Sequence, residues 1–202
     1  MLTEQEQFWS GEFGRSYTER NANINWRARV PFWRSIIEMT GARSILEVGC
    51  NVGGNLLAIR RAFTELDVDY AAFWGVDINQ VAIQEASNAG LSVSHCSLFD
   101  AQKEFPGGFD LVASVGCLIH VDPTDLPRAM DQIISVSNRY VLAVEYAWET
   151  EEEIVTARYS KGQLWKRPFG KLYQERGLSI VAEGEAPNPA FDKCAWWLLE
   201  RP

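Results

Sequence analysis

An apolar run followed at once by a glycine turn and an amphipathic helix constrains this chain more than any other feature. Residues 44–48 are mostly apolar and are closed by Gly49, which is typical of a buried strand in a parallel sheet. Residues 53–63 carry apolar side chains at three- to four-residue spacing, which predicts a helix. Open α/β sheets bind ligands at the carboxyl ends of their strands, so the turn between strand and helix is predicted to be a ligand site.

Two residues, one in this turn and one at the end of the strand before it, distinguish between kinds of cofactor. Asn51 stands where the dinucleotide fingerprint has the glycine that lets the backbone touch a pyrophosphate. Glu47 adds a carboxylate at the end of the strand, which repels a pyrophosphate but attracts a cationic ligand. S-adenosylmethionine carries a sulfonium and an ammonium group and no phosphate, so the turn favours this cofactor over NAD or FAD.

A second apolar run ends in an acidic residue, Asp77, and a helix-like stretch follows over 79–89. An acid at this distance beyond the glycine turn is placed to accept hydrogen bonds from both ribose hydroxyls of an adenosine. The glycine turn alone is a weak motif, but strand, turn, helix, strand and acid in this order are stronger. The alternative is that Glu47 and Asp77 are ordinary polar residues at strand ends.

The chain resembles the class I S-adenosylmethionine-dependent methyltransferases. Their first motif corresponds here to Glu47, Gly49 and Gly53, and their second to Asp77. The resemblance covers about residues 40 to 200. It implies methyl transfer to a small-molecule acceptor, with an oxygen of a sugar, a nucleotide sugar or a similar metabolite as the expected acceptor.

Finer resemblances lie elsewhere in the chain. Residues 96–100 and 107–116 look like later landmarks of the same family. Residues 3–21 and 191–200 are similar to the methyltransferases associated with pseudaminic acid gene clusters. That subfamily likeness leaves the acceptor open.

Hydrophobic patterning predicts an α/β, Rossmann-like, doubly wound sheet of seven strands, mostly parallel with an antiparallel last strand. The predicted strands are 44–48, 72–77, 91–95, 109–115, 139–146, 178–183 and 193–199, and the predicted helices are 53–63, 79–89 and 123–136, the last with a cap and an early proline at 122–124. A chain of 202 residues suits one domain, 1–202. We divide it into a core at 41–202 and a helical, aromatic-rich segment at 1–40.

The segment 1–40 has two interpretations. It can be a lid that covers the sulfonium and forms one wall of the acceptor pocket, or a pair of helices packed on the edge of the sheet, and Pro31 interrupts any continuous helix. The resemblance places this segment next to the cofactor.

The resemblance also implies roles for individual residues. The expected cofactor-binding residues are Tyr17, Glu47, Gly49, Cys50, Asn51, Gly53, Asp77, Ile78, Ser97, Leu98, Gly116 and Cys117. The expected substrate-binding residues are Arg20, Asn21, Arg158 and Tyr159.

Three residues are candidates for catalysis. An oxygen acceptor needs a base, and His120, just past the fourth strand, has an ordinary pKa that suits this task. Glu145 and Tyr146 end the fifth strand on the same side. The alternatives are that His120 orients a loop and that the other two close the strand.

Composition excludes several partners. A formal net charge of −8 argues against nucleic acid. The few basic clusters can instead hold one small anionic substrate. The four cysteines form no Cys-x-x-Cys pair, so no metal is expected. The sequence has no apolar run of membrane-spanning length and no targeting segment, so we expect a cytoplasmic protein with no membrane partner.

Two other classes of function stay open at this stage. One is a catalytically silent binding subunit that keeps the fold. The other is a nicotinamide-dependent oxidoreductase, which Asn51 and Glu47 disfavour.

Overall fold

A seven-stranded sheet forms the centre of the computed structural model, which describes residues 2–156, 159 and 161–202. The strands of the chain are β1 (Ser44–Val48), β2 (Ala72–Asp77), β3 (Val93–His95), β4 (Phe109–Val115), β5 (Ser137–Glu145), β6 (Glu152–Glu153), β7 (Trp165–Lys166), β8 (Ser179–Glu185) and β9 (Ala195–Glu200). The sheet has the order β3-β2-β1-β4-β5-β9-β8, and β6 pairs with β7 outside it. β9 runs antiparallel to both of its neighbours, β5 and β8, and the other six strands of this sheet run in one direction. The predicted fold class is confirmed.

Helices connect the strands and cover the sheet. They are α1 (Glu4–Ser10), α2 (Glu12–Asn21), α3 (Val30–Thr40), α4 (Gly54–Leu66), α5 (Gln80–Asn88), α6 (Ala101–Glu104), α7 (Leu126–Val136) and α8 (Phe169–Gln174). Short 3₁₀ turns lie at Trp26–Arg29, Leu98–Asp100 and Leu118–His120. Over the described part of the chain, no helix combines the length and apolar character that a bilayer crossing requires.

Alternation along the central strands sends apolar side chains to both faces of the sheet. In β1, Ile45 belongs to one buried cluster and Leu46 to the other, because successive side chains of a strand point to opposite faces. Trp33 of α3 lies in the first cluster and Met130 of α7 in the second. Helices therefore cover both faces of the sheet, and loops follow the carboxyl ends of its parallel strands.

The N-terminal segment divides into two parts with different surroundings. α1 begins with a capping box between Thr3 and Glu6, and neither α1 nor α2 contributes to the large apolar clusters. α3 buries Trp33 and Ile36 completely. Pro31 lies in the first turn of α3, where its missing N–H has no intrahelical partner to lose.

Several predicted boundaries are corrected by the structure. α7 begins at Leu126 and not at residue 123, and the proline of its first turn is Pro127. Asp122 does not cap the helix; its Oδ1 accepts from the Thr124 N–H at 2.9 Å in a turn ahead of it. β5 begins earlier than predicted, at Ser137, and β3 is shorter. The last two strands form the predicted antiparallel hairpin.

Candidate functional site

A cavity of about 280 Å³ lies at the carboxyl ends of β1, β2 and β4, where the sequence predicts a ligand site. The turns after these strands line it, and so do residues of α1 and α2 such as Trp9 and Tyr17. The alternating strands and helices place all these segments at one edge of the sheet.

The turn after β1 is held against β2 by backbone bonds. The N–H groups of Gly49 and Cys50 both donate to the carbonyl of Val76, at 2.8 and 3.0 Å. Gly49 has φ 70°, and a Cβ there would lie 2.6 Å from the Sγ of Cys117. Both the left-handed backbone and the close approach require glycine at this position.

Asp77 ties this turn to the start of α5. Its Oδ2 accepts from the Asn51 N–H and its Oδ1 from the Asn79 N–H, each at 2.8 Å. Asn51 has φ 47°, a left-handed conformation that asparagine tolerates better than most residues. Burial raises the pKa of Asp77, and the two backbone hydrogen bonds oppose that rise. Each oxygen keeps a further lone pair for a ligand hydroxyl.

Glu47 is a buried carboxylate with one oxygen bound and one without a partner. Its Oε1 accepts from Asn55 Nδ2 at 2.6 Å, and the Asn55 oxygen in turn accepts from Arg29 at 2.9 Å and Trp33 at 3.2 Å. Its Oε2 has no hydrogen-bond partner. Burial raises the pKa of Glu47 to about 8, although the Asn55 bond and the Arg29 charge lower it. A cation in the cavity would therefore find a carboxylate oxygen without a competing donor.

The turn after β4 carries Gly116 and Cys117 into the cavity lining. Gly116 has φ 62°, and a Cβ there would meet nothing within 4 Å. Glu145 lies behind this turn, fully buried, and accepts from the N–H groups of Cys117 at 3.2 Å, Leu118 at 3.0 Å and Ile119 at 3.4 Å. Burial raises the pKa of Glu145 to about 7 against these hydrogen bonds.

His120 follows this turn and is 8 % exposed. Its Nδ1 lies 2.8 Å from the carbonyl oxygen of Gln163, and its ring lies 4.5 Å from that of Trp9 and 5.1 Å from that of Tyr159. Burial lowers the pKa of His120 to about 4, and the nearby Arg167 charge adds to this effect. The imidazole is therefore neutral at physiological pH.

The α1–α2 hairpin is fastened to both ends of the cavity. Asn79 Nδ2 donates to the carbonyl of Trp9 at 2.9 Å, and Ser97 Oγ donates to the carboxylate of Glu6. At the other end, Gln5 Nε2 donates to the carbonyl of Gly162 at 3.3 Å. The segment bridges the loops after β2 and β3 and the loop before β7.

Tyr146 and Asp192 face each other at a further wall of the cavity. The Tyr146 hydroxyl donates to the Asp192 carboxylate, and both residues line the cavity. Burial raises the pKa of Tyr146, and the Asp192 contact adds to this, so the phenol keeps its proton.

Most of the residues predicted for the site lie together in this lining. They are Tyr17, Asn21, Glu47, Gly49, Cys50, Asn51, Asp77, Ile78, Leu98, Gly116, Cys117, His120, Tyr146 and Tyr159. Arg158 falls outside the described residues.

Four predicted residues lie elsewhere. Gly53 is outside the lining, and a Cβ there would lie 2.3 Å from Leu91, so glycine at this position leaves room for the segment between α5 and β3. Ser97 is turned to Glu6, and Arg20 stacks 5.8 Å from the rings of Phe13 and Tyr17. Glu145 faces backbone amides behind the cavity and not the cavity itself.

Among the polar lining residues that were not predicted as site residues, Asn55 and Arg29 act on Glu47. Asn55 lies in the first turn of α4 among apolar neighbours, and a buried amide one turn beyond a glycine turn was a signal that could have been used. Arg29 comes from the 3₁₀ turn before α3, and it donates to the Asn55 side-chain oxygen at 2.9 Å and to the carbonyl of Ala190 at 3.0 Å.

The lining is rich in acidic side chains. They are Glu6, Glu47, Asp77, Asp122, Asp125 and Asp192. Among the lining residues that the structure describes, Arg29 is the one lysine or arginine.

Comparison with known proteins finds a family model that is similar to part of this chain. Residues 45–139 match a family model described as a methyltransferase domain. Residues 45–139 thus resemble a methyltransferase domain. The match spans β1 to β5, so it contains the turn with Gly49, the acid Asp77 and the loop with His120.

Curated relatives and solved structures are also similar to this chain. The chain is 33 % identical over 128 residues to a protein named thiopurine S-methyltransferase from Bos taurus, an alignment that covers 62 % of this chain and 52 % of that protein. The chain thus spans about half the length of this relative. Magnesium protoporphyrin IX methyltransferase from Synechocystis, crystallised with S-adenosylmethionine, superposes with a TM-score of 0.68 at 15 % identity, over 100 % of this chain and 99 % of that one. A sugar N-methyltransferase from Streptoalloteichus superposes with a TM-score of 0.66 at 14 % identity, over 93 % and 92 %.

The residues that line the cavity fit S-adenosylmethionine, the compound bound in the Synechocystis structure. The orphaned Oε2 of Glu47 matches an ammonium group, since a buried carboxylate needs a charged or hydrogen-bonding partner. The open space at Gly116 leaves room beside the backbone. A phosphate group does not favour ionisation of Glu47 and would lie near the acidic Asp77, which disfavours the nicotinamide alternative.

Proposed function

We propose that this chain transfers the methyl group of S-adenosylmethionine to a small-molecule acceptor that carries no net negative charge. The observation that supports this function most is that Glu47 and Asp77 line the same cavity and that one oxygen of Glu47 has no hydrogen-bond partner. The bound cofactor supplies an electrophilic methyl group, and the residues of the chain bind and orient it.

The proposed division of labour follows the lining. Glu47 holds the ammonium group, Asp77 holds the ribose hydroxyls, and Gly49 and Gly116 let the backbone approach the ligand. Ile78, Leu98 and neighbouring residues enclose the adenine. Alignment of an acceptor lone pair with the methyl–sulfur bond then supplies much of the rate.

The proposed acceptor lies between α1–α2 and the loops after β4 and β5. The rings of Trp9, His120 and Tyr159 offer flat apolar surface there, and the Tyr146–Asp192 pair offers hydrogen bonds. A sugar fits such a mixture of aromatic and hydrogen-bonding groups, and an oxygen acceptor on a sugar or similar metabolite is the proposal. A nucleotide sugar or another anionic acceptor is less favoured because six acidic side chains line the cavity.

We also propose that the whole chain, 1–202, acts as one domain with the α1–α2 hairpin as its lid. Hydrogen bonds from Asn79 and Ser97 on one side and to Gly162 on the other support this role, because the hairpin spans the cavity. The second part of segment 1–40, α3, packs on the sheet, so the two interpretations of the segment apply to different helices.

A sulfur acceptor is the second candidate. With its pKa lowered to about 4, His120 is a weak base for an alcohol, whereas a thiol ionises near neutral pH without a strong base. The name of the Bos taurus relative, thiopurine S-methyltransferase, points the same way.

An acceptor panel on one scaffold tests the proposal. Benzyl alcohol, benzylamine, benzyl mercaptan and benzoate are incubated with radiolabelled S-adenosylmethionine, alongside neutral sugars, amino sugars and nucleotide sugars, and methylated products are counted. We expect turnover of uncharged or amino compounds and none of benzoate or nucleotide sugars. Methylation of the anionic compounds alone would contradict the proposed acceptor class. Binding of the cofactor without a methylated product from any compound of the panel would favour the alternative of a catalytically silent binding subunit.

A further inference from the structure

Arg167 is a fully buried arginine that lies outside the cavity lining. Its Nη1 donates to the carbonyl of Leu118 at 2.8 Å and its Nη2 to the carbonyl of Val121 at 2.7 Å. These two carbonyls bracket His120 in the chain. The guanidinium group of Arg167 thus binds both ends of the short loop that carries the His120 imidazole.

The same segment also holds the imidazole ring. Gln163, four residues before Arg167, offers its carbonyl oxygen to His120 Nδ1 at 2.8 Å. A carbonyl oxygen only accepts, so Nδ1 carries the proton and Nε2 carries the lone pair in the neutral ring. The backbone of the loop and the side chain of His120 are therefore both fixed by residues 163–167.

An arginine suits this task better than a lysine. Its planar fork presents donors in a fixed geometry, so the carbonyls of Leu118 and Val121, at the two ends of one 3₁₀ turn, can be bound at once. The remaining Nε donates to the carboxylate of Glu151 at 2.6 Å. A buried cation with all three directions satisfied avoids the cost of an unpaired charge.

We propose that Arg167 is a positioning residue that holds His120 as the neutral Nδ1–H tautomer, with Nε2 as the hydrogen-bond acceptor for an O–H or N–H group of the methyl acceptor. The use of Nε2 by the acceptor rests on the proposed function, whereas the effect of Arg167 on the imidazole does not.

The charged groups around His120 support a neutral ring. Arg167 disfavours the imidazolium, and Glu145 on the other side of the loop is occupied by the amides of residues 117–119. Trp9 and Tyr159 present rings to the imidazole. Asp122, two residues further along the chain, bonds Thr124.

Nitrogen NMR of labelled histidine in the full chain tests this inference without any methyl acceptor. The chain has two histidines, so a His95→Gln variant assigns the signals of His120. In the parent protein we expect one Nδ1-protonated tautomer for His120 that does not titrate between pH 5.5 and 8, as a pKa of about 4 requires.

Arg167→Met removes the two carbonyl contacts and the charge. We expect a mixture of tautomers and a titration that moves upward toward the ordinary value of 6.5. Arg139→Met, which removes an exposed arginine paired with Glu200, is the matched control and should leave the His120 signals unchanged. Unchanged His120 signals in a folded Arg167→Met protein would overturn the inference.

A second variant covers the case in which Arg167→Met does not fold. Arg167→Lys keeps the charge but cannot bind both carbonyls with a fork, so we expect tautomer mixing with a smaller change in titration. A single unchanged tautomer in Arg167→Lys would overturn the positioning role. Titration of the same samples with S-adenosylhomocysteine reports on the cofactor site, so a failure of the proposed function would be seen separately.

Discussion

Asn55 donates its side-chain amide to Glu47 at 2.6 Å and thereby fixes the orientation of the buried carboxylate. The direction of the amide is determined, because its oxygen accepts from Arg29 and Trp33. One carboxylate oxygen is thus bound from the α4 side while Oε2 is left without a partner. Hydrogen bonds thus connect Arg29, in the 3₁₀ turn before α3, through Asn55 to Glu47 in β1.

Proton release on cofactor binding follows from this arrangement. Because the pKa of free Glu47 is raised to about 8, the group is mostly protonated at pH 7, and a bound ammonium group favours its ionised form. Binding lowers the pKa, so we expect release of up to about one proton at pH 7. Calorimetry of S-adenosylhomocysteine binding in buffers of different ionisation enthalpy measures this number.

Glu47→Gln is the control for that measurement. It keeps the shape of the side chain and cannot ionise, so the released proton should disappear. Equal proton release from the parent protein and from Glu47→Gln would show that Glu47 does not ionise on binding.

Replacement of Asp77 should weaken the cofactor complex. Asp77→Ala removes the proposed acceptor for the ribose hydroxyls and leaves the N–H groups of Asn51 and Asn79 without their partner. We expect a loss of about 1–3 kcal/mol in binding free energy, the scale for stranding polar partners. Asp69→Ala, at an exposed position, should bind normally. Unchanged affinity in Asp77→Ala would reject the ribose assignment.

Gly49→Ala should destabilise the fold more than a matched glycine replacement elsewhere. Gly41 has φ 62° and open space around its Cβ position, so Gly41→Ala measures the cost of the left-handed backbone alone, about 1 kcal/mol. Gly49→Ala adds a contact of 2.6 Å with Cys117 Sγ, and its cost should exceed that of Gly41→Ala by about 1–3 kcal/mol. Urea unfolding compares the two, and equal costs would mean that Cys117 moves aside freely.

Glu145→Gln should reduce stability although Glu145 lies outside the cavity. The carboxylate accepts three backbone N–H bonds, and an amide replaces one acceptor oxygen with a donor. We expect a cost of about 1–3 kcal/mol in the free energy of unfolding. Glu200→Gln, in the exposed pair with Arg139, should cost less than about 1 kcal/mol. Similar values for both variants in urea unfolding would contradict the role of Glu145 in holding the loop.

The sheet and its ligand edge could be predicted from the sequence because both depend on local patterns. The apolar runs ending in Gly49 and Asp77 mark strands whose carboxyl ends must meet in a parallel sheet. The contacts of Asn55 and Arg29 could not be predicted in this way, since they join α4 to a turn that is distant in sequence. Glu145 ends its strand as predicted, but which side of the next loop it faces depends on tertiary packing.

Direct titration of the purified chain with S-adenosylmethionine and with S-adenosylhomocysteine tests most directly whether the cavity is a cofactor site. We expect both to bind in the micromolar range, with one site per chain, and Asp77→Ala to bind more weakly. No detectable binding of either compound to the folded protein would contradict the assignment of Glu47 and Asp77 to the cofactor.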